Sequence, residues 1–106
     1  KKKQATFSIG NIVFDSVKQQ VYRDKSTVKL TRIESELLEL LSLNAGYSLS
    51  RPVILKNIWG YIPERSVDLR VVDVYIVRLR SKIEEVPAAP ELILTVRGVG
   101  YKLPKH

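Results

Sequence analysis

The sequence predicts an α+β fold in which short antiparallel strands come first, three helices follow and a β-hairpin ends the chain. Three observations support it. Apolar and polar residues alternate over the first thirty residues, the apolar spacing becomes helical after Leu30, and two short apolar runs flank Arg97-Gly98. A period of two is typical of half-buried strands, and a period near 3.6 of amphipathic helices. At 106 residues the chain fits one domain, so we treat residues 1–106 as one functional unit.

The first thirty residues predict a meander of three or four strands. The candidate strands are Phe7-Ser8-Ile9, Ile12-Val13-Phe14, Gln20-Val21-Tyr22 and Val28-Lys29-Leu30. Gly10-Asn11, Asp15-Ser16 and Asp24-Lys25-Ser26 separate them, and these residue types favour tight turns. Lys1-Lys2-Lys3 is interpreted as a solvated linker, with an arm that contacts nucleic acid as the alternative.

The first helix is predicted to begin at Thr31. Thr31 and Glu34 have the spacing of a capping box, in which each side chain binds the backbone amide of the other residue. Asn44-Ala45-Gly46 supplies the residues expected just past a helix end. The apolar stripe between these signals is interpreted as core and consists of Ile33, Leu37, Leu38, Leu40 and Leu41.

A second, shorter helix is predicted from Ser50 to Trp59-Gly60. Pro52 fits its first turn, where a backbone donor is not needed. Its length suggests a supporting element. Residues 61–69 are predicted to form a loop, because Pro63 cannot lie inside a helix and its neighbours lack apolar spacing.

The third helix carries the main functional signal. At 100° per residue, its buried stripe should be Val72, Ile76, Leu79 and Ile83. The opposite arc holds Arg70, Val74, Val77, Arg78 and Ser81, flanked by Tyr75 and Lys82 on one side and by Asp73 and Arg80 on the other. Arginine can read guanine in the major groove of DNA while a valine methyl meets a thymine methyl. The alternatives are an exposed helix with incidental valines and a protein-binding helix.

A hairpin is predicted after the two prolines that end the third helix, Pro87 and Pro90. Its strands are Leu92–Val96 and Val99–Leu103, and Arg97-Gly98 forms the turn. An arginine at such a tip can enter a narrow minor groove, where the negative potential is deepest. Together, helix and hairpin predict a winged helix-turn-helix that holds DNA.

Charge and composition narrow the possible partners. There are 18 Lys and Arg against 11 Asp and Glu, giving a net charge of +7 and favouring nucleic acid or an anionic membrane surface. The basic face lacks a large apolar group to insert into lipid, which disfavours the membrane. With no membrane span, secretory signal or cysteine, we expect a soluble domain in the cytoplasm or in an organelle stroma.

An enzymatic role is disfavoured by the residue inventory. His106 is the only histidine, so no histidine-based relay or multi-histidine metal cluster can form. Gly98-Val99-Gly100 lacks the rest of a nucleotide-binding motif. Carboxylates such as Glu34 and Glu84 are interpreted as parts of solvated surfaces. We therefore expect no enzyme activity, metal or cofactor.

Four motifs carry a family resemblance over essentially the whole chain. They are Leu30-Thr31-x-x-Glu34, Ser50-Arg51 leading to Trp59-Gly60, Val72-Asp73-Val74 leading to Arg78-Leu79-Arg80, and Thr95-Val96-Arg97-Gly98-x-Gly100-Tyr101. In this order they resemble the DNA-binding effector domain of OmpR/PhoB-type response regulators. The segment from Trp59-Gly60-Tyr61 to Glu64-Arg65, together with Pro90-Glu91-Leu92-Ile93-Leu94, looks most similar to the RpaB-like regulators of cyanobacteria and plastids.

The resemblance implies sequence-specific binding of double-stranded DNA for transcriptional regulation, with the third helix in the major groove and the wing in the minor groove. Together with the arc described above, it gives the DNA-binding candidates Arg51, Trp59, Arg70, Val74, Tyr75, Val77, Arg78, Arg80, Lys82, Thr95, Arg97 and Tyr101. For Trp59 and Tyr101, pure core packing is an equal alternative. Many relatives have His where this chain has Tyr75, so base preference is expected to differ.

The resemblance also implies partners. Tyr61, Pro63, Glu64 and Arg65 match the family segment that contacts RNA polymerase. A receiver domain with its phosphoacceptor is absent from this chain, and a sensor histidine kinase would act through it. The isolated domain is expected to be monomeric or weakly associating and to dimerise on tandem DNA half-sites. The rival hypothesis is a protein-interaction module that uses the basic helix and loop.

Overall fold

A computed structural model describes residues 6–60 and 69–105 of the chain. Four strands come first: β1 (Thr6–Ile9), β2 (Ile12–Asp15), β3 (Gln20–Arg23) and β4 (Ser26–Lys29). The helices and a two-residue strand follow: α1 (Arg32–Leu43), β5 (Leu49–Ser50), α2 (Arg51–Trp59) and α3 (Arg70–Ile83). The last strands are β6 (Leu94–Val96) and β7 (Gly100–Lys102). The predicted α+β winged helix-turn-helix architecture is confirmed.

The N-terminal sheet is the predicted antiparallel meander, in the order β1-β2-β3-β4. Phe7 lies opposite Phe14, and their stacked rings are 5.8 Å apart. Together with Ile9, Ile12 and Val21, these rings lie in the core, whereas the alternate residues are more exposed. The alternation of apolar and polar residues in the sequence therefore indicates which face of the sheet lies in the core.

Helix α1 begins with the predicted capping box. Thr31 Oγ1 accepts from the Glu34 amide at 3.2 Å, and Glu34 Oε1 accepts from the Thr31 amide at 2.9 Å. The predicted stripe is confirmed at its centre, where three leucines are fully buried: Leu37, Leu38 and Leu41. Ile33 and Leu40 are only partly buried, whereas Glu34 and Ser35, which the stripe did not include, are buried.

Helix α2 has the predicted ends. The Ser50 hydroxyl accepts from the Val53 amide at 3.3 Å, and Pro52 lies in the first turn. Gly60 ends the helix at φ 87°, a left-handed conformation that glycine adopts without steric cost. Ile54 and Leu55 are buried, so α2 packs against the other two helices.

Helix α3 buries the four predicted residues and no others: Val72, Ile76, Leu79 and Ile83. The stripe packs against α1 and α2. This placement leaves the opposite arc of α3 facing outward beside the C-terminal sheet. Within the described residues, no helix is long and apolar enough to cross a bilayer.

The C-terminal hairpin belongs to a three-stranded sheet in the order β5-β7-β6. Sequence patterning missed β5, because two residues are too short to show a period. Gly100 makes this pairing possible, since an added Cβ would lie 1.9 Å from the Leu49 carbonyl oxygen. The predicted tip is confirmed: the Val99 amide donates to the Val96 carbonyl at 2.9 Å, and Gly98 has φ 78°.

Candidate nucleic-acid interface

The outer face of α3 is the exposed arc formed by Arg70, Val74, Val77, Arg78 and Ser81. Val74 is 45% exposed and Val77 62% exposed. Exposed valines also occur elsewhere on the domain, such as Val17 and Val86, so exposure alone does not mark a binding surface. Two on one face, between arginines, form a surface with both charge and small apolar groups.

Arg78 is held by an aromatic pair. Its guanidinium carbon lies 5.0 Å from the centre of the Tyr75 ring, and that ring meets Trp59 edge-on at 5.4 Å. Trp59 and Tyr75 are partly buried against the core. The Ser81 hydroxyl donates to the Arg78 carbonyl at 2.7 Å. Stacking on an aromatic ring limits the conformations of the guanidinium and leaves its in-plane N–H donors available.

Arg80, on the flank of α3 toward the hairpin, has a different environment. Its Nε and Nη2 donate to the Ile93 carbonyl at 3.2 and 2.7 Å, and Nη2 also donates to Thr95 Oγ1 at 2.9 Å. The guanidinium carbon lies 5.5 Å from the centre of the Tyr101 ring. Arg80 therefore fastens the hairpin to α3, and its side chain is committed to contacts within the domain.

Asp73 joins three elements. Its Oδ1 accepts from the Tyr101 hydroxyl at 2.5 Å, and its Oδ2 lies 3.3 Å from Nη1 of Arg51 at the start of α2. Burial, followed by the hydrogen bond to Asp73, raises the pKa of Tyr101 to about 12. Sequence reasoning placed Asp73 on the flank of the arc but missed both partners, which lie far away along the chain.

Lys82 forms an ion pair with a buried carboxylate of α1. Its Nζ donates to Glu34 Oε1 at 2.6 Å, and Glu34 is almost fully buried. Burial tends to raise the pKa of Glu34, but the hydrogen bonds from Lys82 and Thr31 and the charge of Lys82 outweigh it, so the pKa is lowered. The interpretation of Glu34 as a solvated carboxylate was therefore wrong.

Glu84 was also interpreted as solvated, and this too was wrong. It is 5% exposed, and its carboxylate accepts from the backbone amides of Glu91, Leu92 and Ile93 at 2.7–3.1 Å. Three amide donors replace water around the charge. Glu84 therefore fixes the start of the hairpin relative to the end of α3. The signal in the sequence was only a carboxylate next to a proline-rich turn.

The remaining candidates lie in three places. Arg97 is exposed at the tip of the hairpin and Thr95 is exposed on β6, whereas Tyr101 is buried on β7. Arg51 is exposed at the first position of α2. Four predicted polymerase-contact residues lie outside the described residues: Tyr61, Pro63, Glu64 and Arg65. In residues 6–60 and 69–105, no three His, Cys, Asp or Glu side chains are grouped to hold a metal.

The chain matches a known protein family. Residues 24–103 match the family described as "Transcriptional regulatory protein, C terminal". Among curated proteins, the chain is 55% identical over 94 residues to the "Probable transcriptional regulator ycf27" of Porphyra purpurea. That alignment covers 89% of this chain and 39% of the relative, so the chain spans about two fifths of its length.

Many solved structures have similar folds, and two of them serve as examples. The DNA-binding domain of RstA from Klebsiella pneumoniae, in complex with the RstA box, has a TM-score of 0.83 at 35% identity. The alignment covers 97% of this chain and all of that domain. DrrB from Thermotoga maritima, an OmpR/PhoB homologue, also has a TM-score of 0.83, at 33% identity, with 97% of this chain and 46% of DrrB covered.

Proposed function

This chain belongs to the family of C-terminal domains of transcriptional regulatory proteins, in its OmpR/PhoB-type response-regulator branch, and we propose that it binds specific sequences of double-stranded DNA. The observation that carries the proposal is the outer face of α3. There Arg78 is stacked on Tyr75 between exposed Val74 and Val77, and the arginine-tipped hairpin lies on the adjacent flank. The RstA domain, which shares this fold, is in complex with DNA.

The proposed binding mode places α3 in the major groove and the hairpin, as a wing, in the minor groove. Val74, Val77 and Arg78 would meet base edges, because they are exposed and Arg78 has N–H donors available. Arg97 would enter the minor groove from the tip. Arg51 and Arg70 would contact phosphates from the first residues of α2 and α3, where helix N-termini also favour anions.

The other candidates have supporting roles in this proposal. Their side chains already have partners within the domain, through ring contacts for Tyr75 and Trp59 and through polar contacts for Arg80, Thr95, Tyr101 and Lys82, which leaves them less able to contact DNA directly. Tyr75 and Trp59 hold Arg78, and Arg80 with Thr95 and Tyr101 holds the wing. Lys82 neutralises the buried Glu34. Arg80, Thr95 and Tyr101 would act by fixing the angle between α3 and the wing, and Tyr75 and Trp59 by positioning Arg78.

The proposal extends to the whole protein of which this chain would form part. The relatives are more than twice as long as the aligned region, which leaves room for a receiver domain phosphorylated by a sensor histidine kinase. We propose that two such domains bind tandem half-sites and that contact with RNA polymerase involves Tyr61, Pro63, Glu64 and Arg65. The plastid stroma or the cytoplasm would be the compartment. No enzymatic activity is proposed.

The test is enrichment of random duplexes on the domain at about 150 mM salt, followed by sequencing of the retained DNA. We expect a direct repeat with a spacing of about 10 to 11 base pairs, one turn of the double helix. Arg32→Ala is the matched control, because it removes one exposed cation whose ion pair, with Glu36, lies within α1. It should recover the same sequence.

Recognition of the DNA sequence by α3 would be supported if Arg78→Ala loses the enriched sequence and Arg32→Ala retains it. A wild-type pool with no enriched sequence would contradict sequence-specific binding. It would favour the rival hypothesis, in which the basic helix and loop bind an acidic protein surface.

A further inference from the structure

The two carboxylate oxygens of Asp73 have unlike partners. Oδ1 is bound by the hydroxyl of buried Tyr101 at 2.5 Å, a short charge-assisted hydrogen bond. Oδ2 faces Arg51 Nη1 at 3.3 Å, and the two side chains of this ion pair are 32% and 44% exposed. The first contact is sheltered and holds the wing. The second is looser and open to solvent, so another anion can replace Asp73 beside Arg51.

Asp73 is also the acidic residue of the first turn of an otherwise basic α3, where the helix dipole stabilises a negative charge. Arg51 is the first residue of α2. The ion pair therefore lies close to the N-termini of α2 and α3. In the proposed binding mode, this part of the surface faces the DNA backbone.

We propose that Asp73 is a positioning residue that takes the place of a DNA phosphate beside Arg51 in the free domain. Arg51 then reaches the DNA backbone by exchanging one anion for another. The inference rests on the proposed function, because it requires α3 to face DNA. Asp73 would then lower the affinity for DNA, in addition to binding the Tyr101 hydroxyl of the wing.

The exchange lowers affinity without changing sequence preference. An exposed ion pair is weak, and breaking it costs roughly a twofold to fivefold factor in binding. Phosphates are present in every duplex, so the factor applies equally to matched and scrambled DNA. Asp73 would thus weaken binding to any duplex while Arg78 continues to discriminate among sequences.

The experiment measures duplex binding by the Asp73→Asn variant. Asparagine keeps an oxygen that can accept from the Tyr101 hydroxyl, but it removes the charge that holds Arg51. We expect Asp73→Asn to bind matched and scrambled duplexes roughly twofold to fivefold more tightly than the wild type, with an unchanged ratio between them. Asp24→Asn is the charge-matched control: Asp24 is exposed in the β3–β4 turn at φ 53°, which asparagine also tolerates.

Two further variants separate the causes. In an Arg51→Ala background, Asp73→Asn should no longer tighten binding, because no exchange remains. Tyr101→Phe removes the hydroxyl that holds the wing and leaves the ion pair intact, so it should not reproduce the tighter binding. The inference is overturned if Asp73→Asn matches Asp24→Asn, if its effect persists without Arg51, or if Tyr101→Phe mimics it.

The outcomes also distinguish this inference from the proposed function. If no matched duplex exists but scrambled DNA binds, sequence-specific regulation fails while the exchange can still be measured. If matched DNA binds and the variants show no coupling between Asp73 and Arg51, only the exchange fails. Absence of binding to any duplex would overturn both.

Discussion

Arg78 and Arg80 lie two residues apart on α3, yet their guanidinium groups have different surroundings. Arg78 is on the outer face, stacked on Tyr75. Arg80 is on the flank toward the wing and donates to the Ile93 carbonyl and to Thr95. A rotation of about 200° separates the two positions on a helix. The comparison shows that arginines on one basic helix can have different roles. Arg78 is exposed to a ligand, whereas Arg80 binds a neighbouring element of the domain.

The largest effect is expected from Lys82→Ala, because Lys82, like Arg80, contacts groups within the domain. The change leaves the buried Glu34 carboxylate without its cation, so we expect the free energy of unfolding to fall by about 3 kcal/mol, near the lower limit for a broken buried pair because Lys82 is one-third exposed. Urea denaturation measures the loss. Arg78→Ala, on the outer face of α3, is the control and should change stability by less than about 0.5 kcal/mol. Equal losses of stability in the two variants would contradict the different roles of Lys82 and Arg78.

Arg80→Ala is expected to lower the free energy of unfolding by about 2 kcal/mol. It removes charge-assisted hydrogen bonds to Ile93 and Thr95 and exposes the Tyr101 ring. Arg80→Lys keeps the charge but loses the two-pronged donation, so it should recover only part of the stability. If Arg80→Lys were as stable as the wild type, charge rather than attachment of the wing would explain the residue.

Arg78→Ala is expected to act on recognition instead. We expect the matched-to-scrambled binding ratio to fall by about 1 to 3 kcal/mol in free-energy terms, because a guanidinium that reads bases is lost. Fluorescence anisotropy with both duplexes measures the ratio, and Arg32→Ala serves as the control. An unchanged ratio would mean that the outer face of α3 does not read sequence.

The smallest expected effect is a dependence on pH through Glu34. Its folded-state pKa is lowered below the ordinary 4.5, since the contacts with Lys82 and Thr31 outweigh burial. The unfolded chain therefore takes up the proton first, and the stability contributed above about pH 4.5 is lost as pH falls through the lowered pKa. Denaturation in a pH series should show a shallower acid decline for Glu34→Gln. Identical declines would show that Glu34 does not contribute.

Sequence patterns predicted what depends on local periodicity. The buried stripe of α3, the capping box of α1 and the hairpin tip at Arg97-Gly98 each follow from residues a few positions apart. The family resemblance added the functional class. These predictions describe the outer face of α3 well, because the residues outside a periodic buried stripe are the exposed ones.

The contacts that α3 and its C-terminal end make within the domain could not be predicted in the same way. Asp73 meets Tyr101 across 28 positions and Lys82 meets Glu34 across 48, so no local spacing reveals either pair. Glu84 was interpreted as solvated because carboxylates usually are, and only the folded turn brings three backbone amides to it. Contacts that hold a site in place arise from tertiary structure.

Binding of DNA by the outer face of α3 is tested most directly by an amide NMR titration of the domain with its matched duplex. We predict that the largest shifts occur at Val74, Val77, Arg78 and Arg97, with small changes at Val17 and Leu43, which are exposed on the N-terminal sheet region and on α1. Shifts concentrated on α1 or the N-terminal sheet, with the outer face of α3 unchanged, would contradict the claim that this face meets DNA.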